Sequence, residues 1–246
     1  MTMNLIPPEL SEPELVPFSA SDPPGARVLV LAPHPDDETL GCGGSLRILI
    51  KGGKAVKVLF LTKGEKAVED PVSREQYTEV REKEAKKAMR ILGVSEYEFL
   101  RFPDRELLSQ VGLLREKVMA VIDSFRPDTI YSTSPIELNP DHRAAAAVAG
   151  EMMNDRGVMV AFYELVTPIR PNILIDVSTV YRFKKRAIKA YRSQLKITDY
   201  LKMISSLNAY RTITLGRGVR YAEAFWLLRG DASPERWLTY AEKLGT

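Results

Sequence analysis

One short segment constrains this chain more than any other. Residues 33–38 read Pro-His-Pro-Asp-Asp-Glu and directly follow the apolar run at 27–31, which has the composition of a buried strand. One imidazole and three carboxylates are therefore crowded at the end of a strand, just before a segment with helical periodicity. Such groups resist burial together unless a cation holds them, because desolvating an unpaired charge is costly. The segment predicts a metal centre.

The rest of the chain alternates between strand-like and helix-like segments. Apolar, β-branched runs predict six strands, at 27–32, 55–62, 97–102, 128–133, 158–165 and 172–177. Helical periodicity predicts four helices between the first five strands, at 39–51, 74–92, 107–125 and 142–155. Strands that alternate with helices of this length are joined by right-handed crossovers into a mostly parallel sheet. We therefore expect an α/β fold, a three-layer Rossmann-like domain with a mostly parallel sheet.

The two ends of the chain break this pattern. Residues 1–25 carry six prolines, which predicts an extended arm that lies on the domain or is partly disordered. After residue 177 we expect helices at 179–192 and 198–209, a strand at 222–228 and a terminal helix that begins near 233. No repeat and no change of composition marks a second domain. We expect a Pro-rich arm over 1–25 and a single domain over 26–246, whose C-terminal third covers one end of the sheet.

Composition excludes several classes of protein. The single cysteine, Cys42, rules out an internal disulfide, and the sequence shows neither a secretory signal nor an apolar run long enough to span a membrane. The formal charge of +3 is too small to indicate nucleic acid or a membrane surface as a partner. These observations predict a cytoplasmic protein without a nucleic-acid partner or a membrane span.

A second polar segment follows the fourth predicted strand. Residues 137–143 read Glu-Leu-Asn-Pro-Asp-His-Arg, and the chain has two histidines, His142 in this segment and His34 in the first. Ligands of open α/β sheets bind at the carboxyl ends of the strands, where both histidines fall beside aspartates. Two imidazoles and one carboxylate, with an open fourth position, are the usual protein ligands of catalytic zinc. One of Asp36 and Asp37 can then bind the metal while the other takes a proton from water, which predicts metal-assisted hydrolysis of a carbonyl compound.

Residues 33–38, together with Gly-Cys-Gly-Gly at 41–44, resemble the signature of the LmbE/PIG-L family of zinc-dependent N-deacetylases. The resemblance continues at 61–65, 81–84, 92–93, 102–104, 139–143, 191–194 and 221–225, and so covers nearly everything from about residue 26 to 228. It implies an LmbE-like fold and removal of the N-acetyl group from N-acetylglucosamine units of glycans, glycolipids or small glycosides. Because nothing in the sequence resembles a carbohydrate-binding module, we expect an N-acetylglucosamine-containing small glycoside or disaccharide as the substrate. The resemblance also implies a homo-oligomer, a trimer or hexamer, as relatives often form.

The same resemblance implies a role for each matching residue. His34, Asp37 and His142 match the zinc ligands, although ligand type alone leaves iron(II) or cobalt(II) open. Asp36 matches the general base that activates water for attack on the acetamide carbonyl. The other matching positions line or support the sugar pocket, at Glu65, Arg81 and Asp104, or orient a neighbouring catalytic side chain, at Asp141.

One position departs from the family pattern. Relatives commonly carry His-Pro-Asp-His, and its first histidine helps to stabilise the oxyanion and protonate the leaving amine, whereas this chain has Asn139. An amide can donate a hydrogen bond to an oxyanion, but it cannot deliver a proton. Either Asp36 or Glu137 supplies that proton, or another group has moved in, or activity is reduced.

Other interpretations of these residues stay open. Glu38 is either a catalytic group or the first-turn acid of the following helix, Arg81 fits a charged helix face, and Asp104 fits a helix cap. The whole chain also fits a catalytically weakened sugar-binding relative that keeps the metal site. A nucleotide-binding α/β protein is a further alternative, although Gly-Cys-Gly-Gly is not the dinucleotide fingerprint.

Overall fold

A computed structural model describes residues 16–229 of the chain, and the account below refers to these residues. The strands are β1 Arg27–Ala32, β2 Ala55–Thr62, β3 Glu96–Phe102, β4 Thr129–Thr133, β5 Met159–Tyr163, β6 Ile173–Asp176 and β7 Ala222–Leu228. The helices are α1 Asp37–Lys51, α2 Pro71–Leu92, α3 Val111–Phe125, α4 Pro140–Arg156, α5 Tyr181–Ile188, α6 Arg192–Leu195 and α7 Tyr200–Tyr210. A short 3-10 helix, Leu108–Gln110, leads into α3.

The described strands form one sheet in the order β3-β2-β1-β4-β5-β7-β6. Strands β1 to β5 are parallel, and β7 runs antiparallel between β5 and β6. Side chains of β1 alternate between two cores: Val28 and Val30 pack on the face with α1 and α2, while Leu29 and Leu31 pack on the face with α3 and α4. All four are fully buried, which explains why a strand covered on both faces has a continuous apolar run. The predicted three-layer, mostly parallel α/β fold is confirmed.

Between residues 27 and 228 the predicted strands and helices agree with the observed ones to within a few residues, with one exception. The exception is the helix predicted at 179–192, which ends early, at Ile188. A separate short helix, α6, occupies most of the interval predicted to be a break, and the chain turns before it at Tyr191 (φ −80°, ψ 61°), whose hydroxyl donates a hydrogen bond to Glu38. The described part of the C-terminal third supplies β6 at one edge of the sheet and packs α5 against α1 and α2. It also contributes β7 to the sheet itself, between two strands that precede it in the chain.

Helix α1 crosses the sheet closely and bends on the way. A Cβ atom on Gly41 would come within 2.2 Å of the Tyr163 ring, and one on Gly44 within 2.6 Å of Val177. A larger residue at either position would push the helix off the sheet, so these glycines set the distance of approach. Between them the backbone of Cys42 leaves the helical range (φ −128°, ψ 15°), and the helix resumes beyond it.

A buried carboxylate caps the second half of this bent helix. Glu223 on β7 accepts hydrogen bonds from the backbone N–H groups of Gly44 and Ser45, at 2.8 Å each, and from the Ser45 hydroxyl at 2.6 Å. Nζ of Lys184 on α5 lies 2.5 Å from the same carboxylate, and both charged side chains are fully buried. The bond pattern satisfies N–H groups that the bend exposes, as a helix cap does, and it ties α1, α5 and β7 together.

The described part of the predicted N-terminal arm, residues 16–25, has no helix or strand and lies on the domain. It forms hydrogen bonds with β6, with a side chain of β4 and with the segment before β7. The rest of the arm and the helix predicted near 233 lie outside the described residues. Among the described helices, none has the length and apolar character needed to cross a bilayer.

Breaking the Lys184–Glu223 pair is expected to destabilise the fold. Lys184→Met leaves the Glu223 carboxylate buried without its cation, and we expect the free energy of unfolding to fall by about 3–5 kcal/mol. Urea titration followed by circular dichroism measures the change. Lys185→Met, on the exposed side of α5, is the matched control and should change stability by less than about 0.5 kcal/mol. Equal effects of the two substitutions would contradict the role given to this ion pair.

Candidate active site

Three side chains from distant parts of the sequence meet at the carboxyl ends of β1 and β4, which are neighbours in the sheet. Nδ1 of His34 lies 3.1 Å from Nε2 of His142 and 3.2 Å from Oδ2 of Asp37. Nε2 of His142 lies 3.3 Å from the same Asp37 oxygen. The two histidines of the chain and one aspartate of the first motif therefore form a single cluster.

The ends of two strands and the first turns of two helices position this cluster. His34 follows β1, and its backbone N–H donates a 2.8 Å hydrogen bond to Oδ2 of Asp37 in the first turn of α1. His142 lies in the first turn of α4, and its carbonyl oxygen accepts a 2.9 Å hydrogen bond from the Thr133 hydroxyl at the end of β4. Each ligand candidate is thus fixed by backbone contacts as well as by its side chain.

The donor set fits a divalent metal ion. Zinc bonds of about 2.0–2.1 Å in a tetrahedron place neighbouring ligand atoms about 3.3–3.4 Å apart, close to the separations in the cluster. The second ring nitrogens face carboxylates: Nε2 of His34 lies 3.2 Å from Oδ1 of Asp104, and Nδ1 of His142 lies 3.5 Å from Oε2 of Glu137. Carboxylates in this position orient imidazoles that bind metals and fix their tautomer.

The charges of the cluster stabilise one another. Burial lowers the pKa of His142, but Asp37 and Glu137 outweigh this effect and raise the pKa to about 9. Burial also opposes the charged form of His34. Hydrogen bonds with three aspartates nevertheless hold the pKa of His34 well above its ordinary value: Asp104, Asp141 and Asp37. Burial raises the pKa of Asp37, and the two histidines lower it well below its usual range. Asp37 is therefore ionised at neutral pH, as a carboxylate ligand must be.

Asp36 lies beside the cluster in a strained backbone conformation. Its φ of 147° is rare for a residue with a side chain, and such conformations persist where the surrounding structure enforces them. Oδ1 of Asp36 lies 3.4 Å from Nη2 of Arg81, which also donates a 2.6 Å hydrogen bond to the Pro35 carbonyl. Burial raises the pKa of Asp36 to about 7, although the Arg81 charge acts to lower it. A carboxyl group with a pKa near 7 can both take and return a proton at neutral pH.

Glu38 supports the loop that carries Asp36. Its fully buried carboxylate accepts hydrogen bonds from the Asp36 N–H at 3.1 Å and from the hydroxyls of Thr39 and Tyr191 at 2.5 and 2.6 Å. Burial raises the pKa of Glu38 to about 7. Because Glu38 does not line the cavity beside the cluster, these contacts favour a structural role over a catalytic one.

A cavity of about 340 Å³ opens onto the cluster, and most of the predicted site residues line it. These are His34, Asp36, Asp37, Arg81, Asp104, Asn139 and His142. Glu65 and Asp141 do not line it. Glu65 accepts the Asp104 N–H at 3.2 Å, and Asp141 accepts the N–H groups of Arg105 and Leu107 at 2.6 and 3.0 Å. Both carboxylates hold the loop after β3, and the roles that the resemblance implies for them stay predictions.

Asn139 is the N-cap of α4. Its side-chain oxygen accepts a 2.9 Å hydrogen bond from the backbone N–H of Asp141. The cap occupies the oxygen end of the amide, so the NH2 end is the one available to a ligand in the cavity. The amide is thereby held in one orientation.

Several residues that line the cavity were not found from the sequence. They include Leu138, Leu165, Val166 and Tyr200, with Gln194 represented only by the weak match at 191–194. Leu138 and Val166 are 76% and 48% exposed, and we call this pair the apolar lip. Residues of the lip follow β4 and β5, a position that favours function in such sheets. Because apolar residues are common throughout the chain, nothing else in the sequence marked the lip as part of the cavity. Nothing in the sequence marked Tyr200 either.

Known proteins resemble this chain in both sequence and structure. The family model described as PIG-L, GlcNAc-PI de-N-acetylase, matches residues 29–153. A diacetylchitobiose deacetylase of Thermococcus kodakarensis is 31% identical over 190 residues, which cover 68% of this chain and 70% of that protein. A probable N-acetyl-alpha-D-glucosaminyl L-malate deacetylase 2 of Bacillus cereus is 30% identical over 184 residues, 68% of this chain and 83% of that protein.

The similarity extends to a solved structure. The N,N'-diacetylchitobiose deacetylase of Pyrococcus horikoshii, complexed with its inhibitor MPG, has a TM-score of 0.74 at 25% identity and is matched over 89% of this chain and 90% of that one. The family match covers both loops of the histidine and aspartate cluster. The chain therefore belongs to the PIG-L (LmbE-like) family of de-N-acetylases.

Proposed function

We propose that this protein is a metal-dependent N-deacetylase that removes the acetyl group from an N-acetylglucosamine-containing small glycoside or disaccharide. One observation carries the proposal: ligand atoms of His34, Asp37 and His142 lie within 3.3 Å of one another at a cavity, with Asp36 beside them. The relatives are named as deacetylases of diacetylchitobiose and of an N-acetylglucosaminyl malate, which supports this reaction and substrate class.

We propose that His34, Asp37 and His142 hold zinc. Two imidazoles and one carboxylate are its usual catalytic ligands, and iron(II) or cobalt(II) are alternatives for the same donors. When bound in such a site, a divalent ion polarises an amide carbonyl and makes water more acidic. The ionised Asp37 and the carboxylates behind both imidazoles prepare these ligands for a cation.

Asp36 is the proposed general base. Its carboxylate takes a proton from the water that attacks the acetamide carbonyl, while Arg81 at 3.4 Å holds the carboxylate in place. Burial raises the pKa of Asp36, which favours its holding this proton until the C–N bond breaks. Transfer of the proton to the departing nitrogen then yields acetate and a free amine. One residue that serves as base and then acid accounts for a working site without a histidine at position 139.

Asn139 is the proposed hydrogen-bond donor to the oxyanion. Its oxygen is occupied by the Asp141 N–H, so its NH2 group is oriented before the substrate arrives. A preorganised donor at a carbonyl oxygen that gains negative charge lowers the barrier without moving a proton. The alternative, a catalytically weakened sugar-binding relative, depends on Asn139 having replaced an essential histidine.

The cavity suits a small glycoside. Arg81 and Asp104 offer polar groups for sugar hydroxyls on one wall, and the apolar lip can pack against the carbon-bearing face of a ring. A volume of about 340 Å³ lies at the small end of ligand sites, which range over about 300–1,000 Å³. We propose a monosaccharide glycoside or disaccharide as the substrate.

The wider organisation is proposed from the sequence and the family. Residues 26–246 would form a single domain behind a Pro-rich arm at 1–25, and the chain would assemble as a homo-oligomer, a trimer or hexamer. Its net charge of +3 and its single cysteine support a cytoplasmic enzyme without a nucleic-acid partner.

Replacing one proposed ligand is expected to weaken metal binding. Asp37→Asn keeps the shape of the side chain but removes its charge, and the zinc dissociation constant should rise by at least about 100-fold, because losing even an outer partner of a ligand costs 10–100-fold. Competition with a chromophoric chelator measures the constant. Asp123→Asn, on the exposed side of α3, is the control and should bind zinc as the wild type does. Undiminished zinc binding by Asp37→Asn would refute the ligand set.

Removing the proposed base tests the reaction itself. Wild-type protein loaded with zinc should release acetate and a primary amine from N,N'-diacetylchitobiose or N-acetylglucosamine. Asp36→Asn should lower kcat by about 10²–10⁴-fold, the contribution of a general base, while its zinc content stays unchanged. Amine release detected with a fluorogenic reagent, beside metal analysis of the same samples, separates the two effects. A variant that keeps more than a tenth of the wild-type kcat would exclude Asp36 as the base.

A substitution at position 139 can separate the N-cap role of Asn139 from its proposed role as hydrogen-bond donor to the oxyanion. Asn139→Ser keeps an N-cap oxygen for the Asp141 N–H but removes the NH2 group, so we expect similar thermal stability and a kcat about 100-fold lower. Asn139→His should also lower kcat, because Asp36 already supplies the proton and the ring removes the amide donor. A large gain in turnover on Asn139→His would instead support the weakened sugar-binding relative.

A further inference from the structure

Glu137 is a buried carboxylate that the proposed reaction does not use. It lies between β4 and α4 and is 1% exposed. Its Oε1 accepts hydrogen bonds from the backbone N–H groups of Val166 and Thr167, at 3.1 and 3.0 Å, in the segment that follows β5. Its Oε2 lies 3.5 Å from Nδ1 of His142. One carboxylate therefore contacts both a proposed metal ligand and the opposite border of the cavity.

These contacts bind one oxygen of Glu137 and direct the other toward His142. Oε1 accepts two backbone N–H groups. Oε2 faces Nδ1 of His142, a buried atom that forms no hydrogen bond of normal geometry with any described residue. Glu137 lines the cavity, but the two N–H groups on Oε1 and the approach of Oε2 to His142 hold its carboxylate in place. The carboxylate is well placed to keep the His142 ring and the backbone at residues 166–167 in a fixed relative position.

Resting on the proposed metal site, we propose that Glu137 is a positioning residue that couples His142 to the apolar lip. When Nε2 of His142 binds a metal, Nδ1 carries the ring proton, and Oε2 of Glu137 is the acceptor that faces it. The same carboxylate fixes the backbone of Val166, which is one half of the lip, and Leu138, the other half, follows Glu137 directly in the chain.

The coupling acts in both directions. A metal ion that fixes the His142 ring strengthens the contact between Nδ1 and Oε2 and so restricts the carboxylate. The restricted carboxylate in turn holds the N–H groups of Val166 and Thr167 more firmly. By linkage, an ordered lip also favours metal binding, because an effect of one site on the other is reciprocal. Metal loading would thus prepare the border of the cavity for the sugar.

Two variants separate the two contacts. Glu137→Gln keeps an oxygen that can accept from Val166 and Thr167 but presents an NH2 group to His142, whereas Glu137→Ala removes both contacts. Zn²⁺ affinity measured by chelator competition should fall by about 10–100-fold in both variants. Glu116→Gln, an exposed carboxylate on α3, is the matched control and should leave the affinity unchanged. Because Glu137→Gln has the same shape as the native residue, it decides the question even if Glu137→Ala does not fold.

Hydrogen exchange of the Val166 and Thr167 amides measures how strongly metal binding affects the segment that follows β5. In the wild type, Zn²⁺ should slow the exchange of both amides by about tenfold, since exchange reports local opening. In Glu137→Gln the exchange should no longer respond to Zn²⁺, and in Glu137→Ala it should be fast with or without the ion.

The inference is overturned if Glu137→Gln binds Zn²⁺ within twofold of the wild type, or if Zn²⁺ leaves the exchange of both wild-type amides unchanged. Neither measurement requires turnover. A wild-type protein that shows the coupling but releases no acetate would therefore refute the proposed function alone. One that releases acetate without the coupling would refute this inference alone.

Discussion

The close crossing of α1 over the sheet is the constraint on which the site depends. Gly41 lies against the ring of Tyr163, whose hydroxyl donates a 3.0 Å hydrogen bond to the Leu31 carbonyl near the end of β1. The same tyrosine therefore sets the height of the helix and the end of the strand that precedes it. Residues 34–38 connect these two fixed points, so their side chains have little freedom in where they point. The strained backbone of Asp36 follows from this short connection.

Three segments around the cluster, those after β1, β3 and β5, are held in place in the same way. Each is held by a buried carboxylate that accepts backbone N–H groups: Glu38 for the loop after β1, Glu65 and Asp141 for the loop after β3, and Glu137 for the segment after β5. Backbone N–H groups in such loops lack the regular partners of helices and strands. A carboxylate can accept one of them, as Glu38 and Glu65 do, or two, as Asp141 and Glu137 do. The reactive groups of the site therefore lie on loops that buried side chains hold in place, and preorganised chemistry requires such support.

The sequence was enough to bring the two histidines and Asp37 together, because each motif follows a strand. Parallel strands bring their carboxyl ends to one edge, so His34 and His142 could be placed together without knowledge of the intervening 107 residues. The supporting carboxylates were harder to assign, because their partners are backbone N–H groups of distant loops, which have no residue code. Glu65 and Asp141 were assigned from the family resemblance alone. The antiparallel insertion of β7, and the pairing of Glu223 with Lys184, depend on contacts across long stretches of chain that no local pattern records.

The position of β7 has a consequence for how the protein is made. β5 and β6 leave the ribosome well before residues 222–228, yet their common partner in the sheet is this late strand. Until it arrives, two strands expose unpaired edges, and such edges invite pairing with other chains. The late strand also brings Glu223, so the bent helix above the site stays uncapped for the same interval. The site can therefore be completed only after residues 222–228 have been made, and chains that stop before residue 222 should aggregate instead of persisting as partly active enzyme.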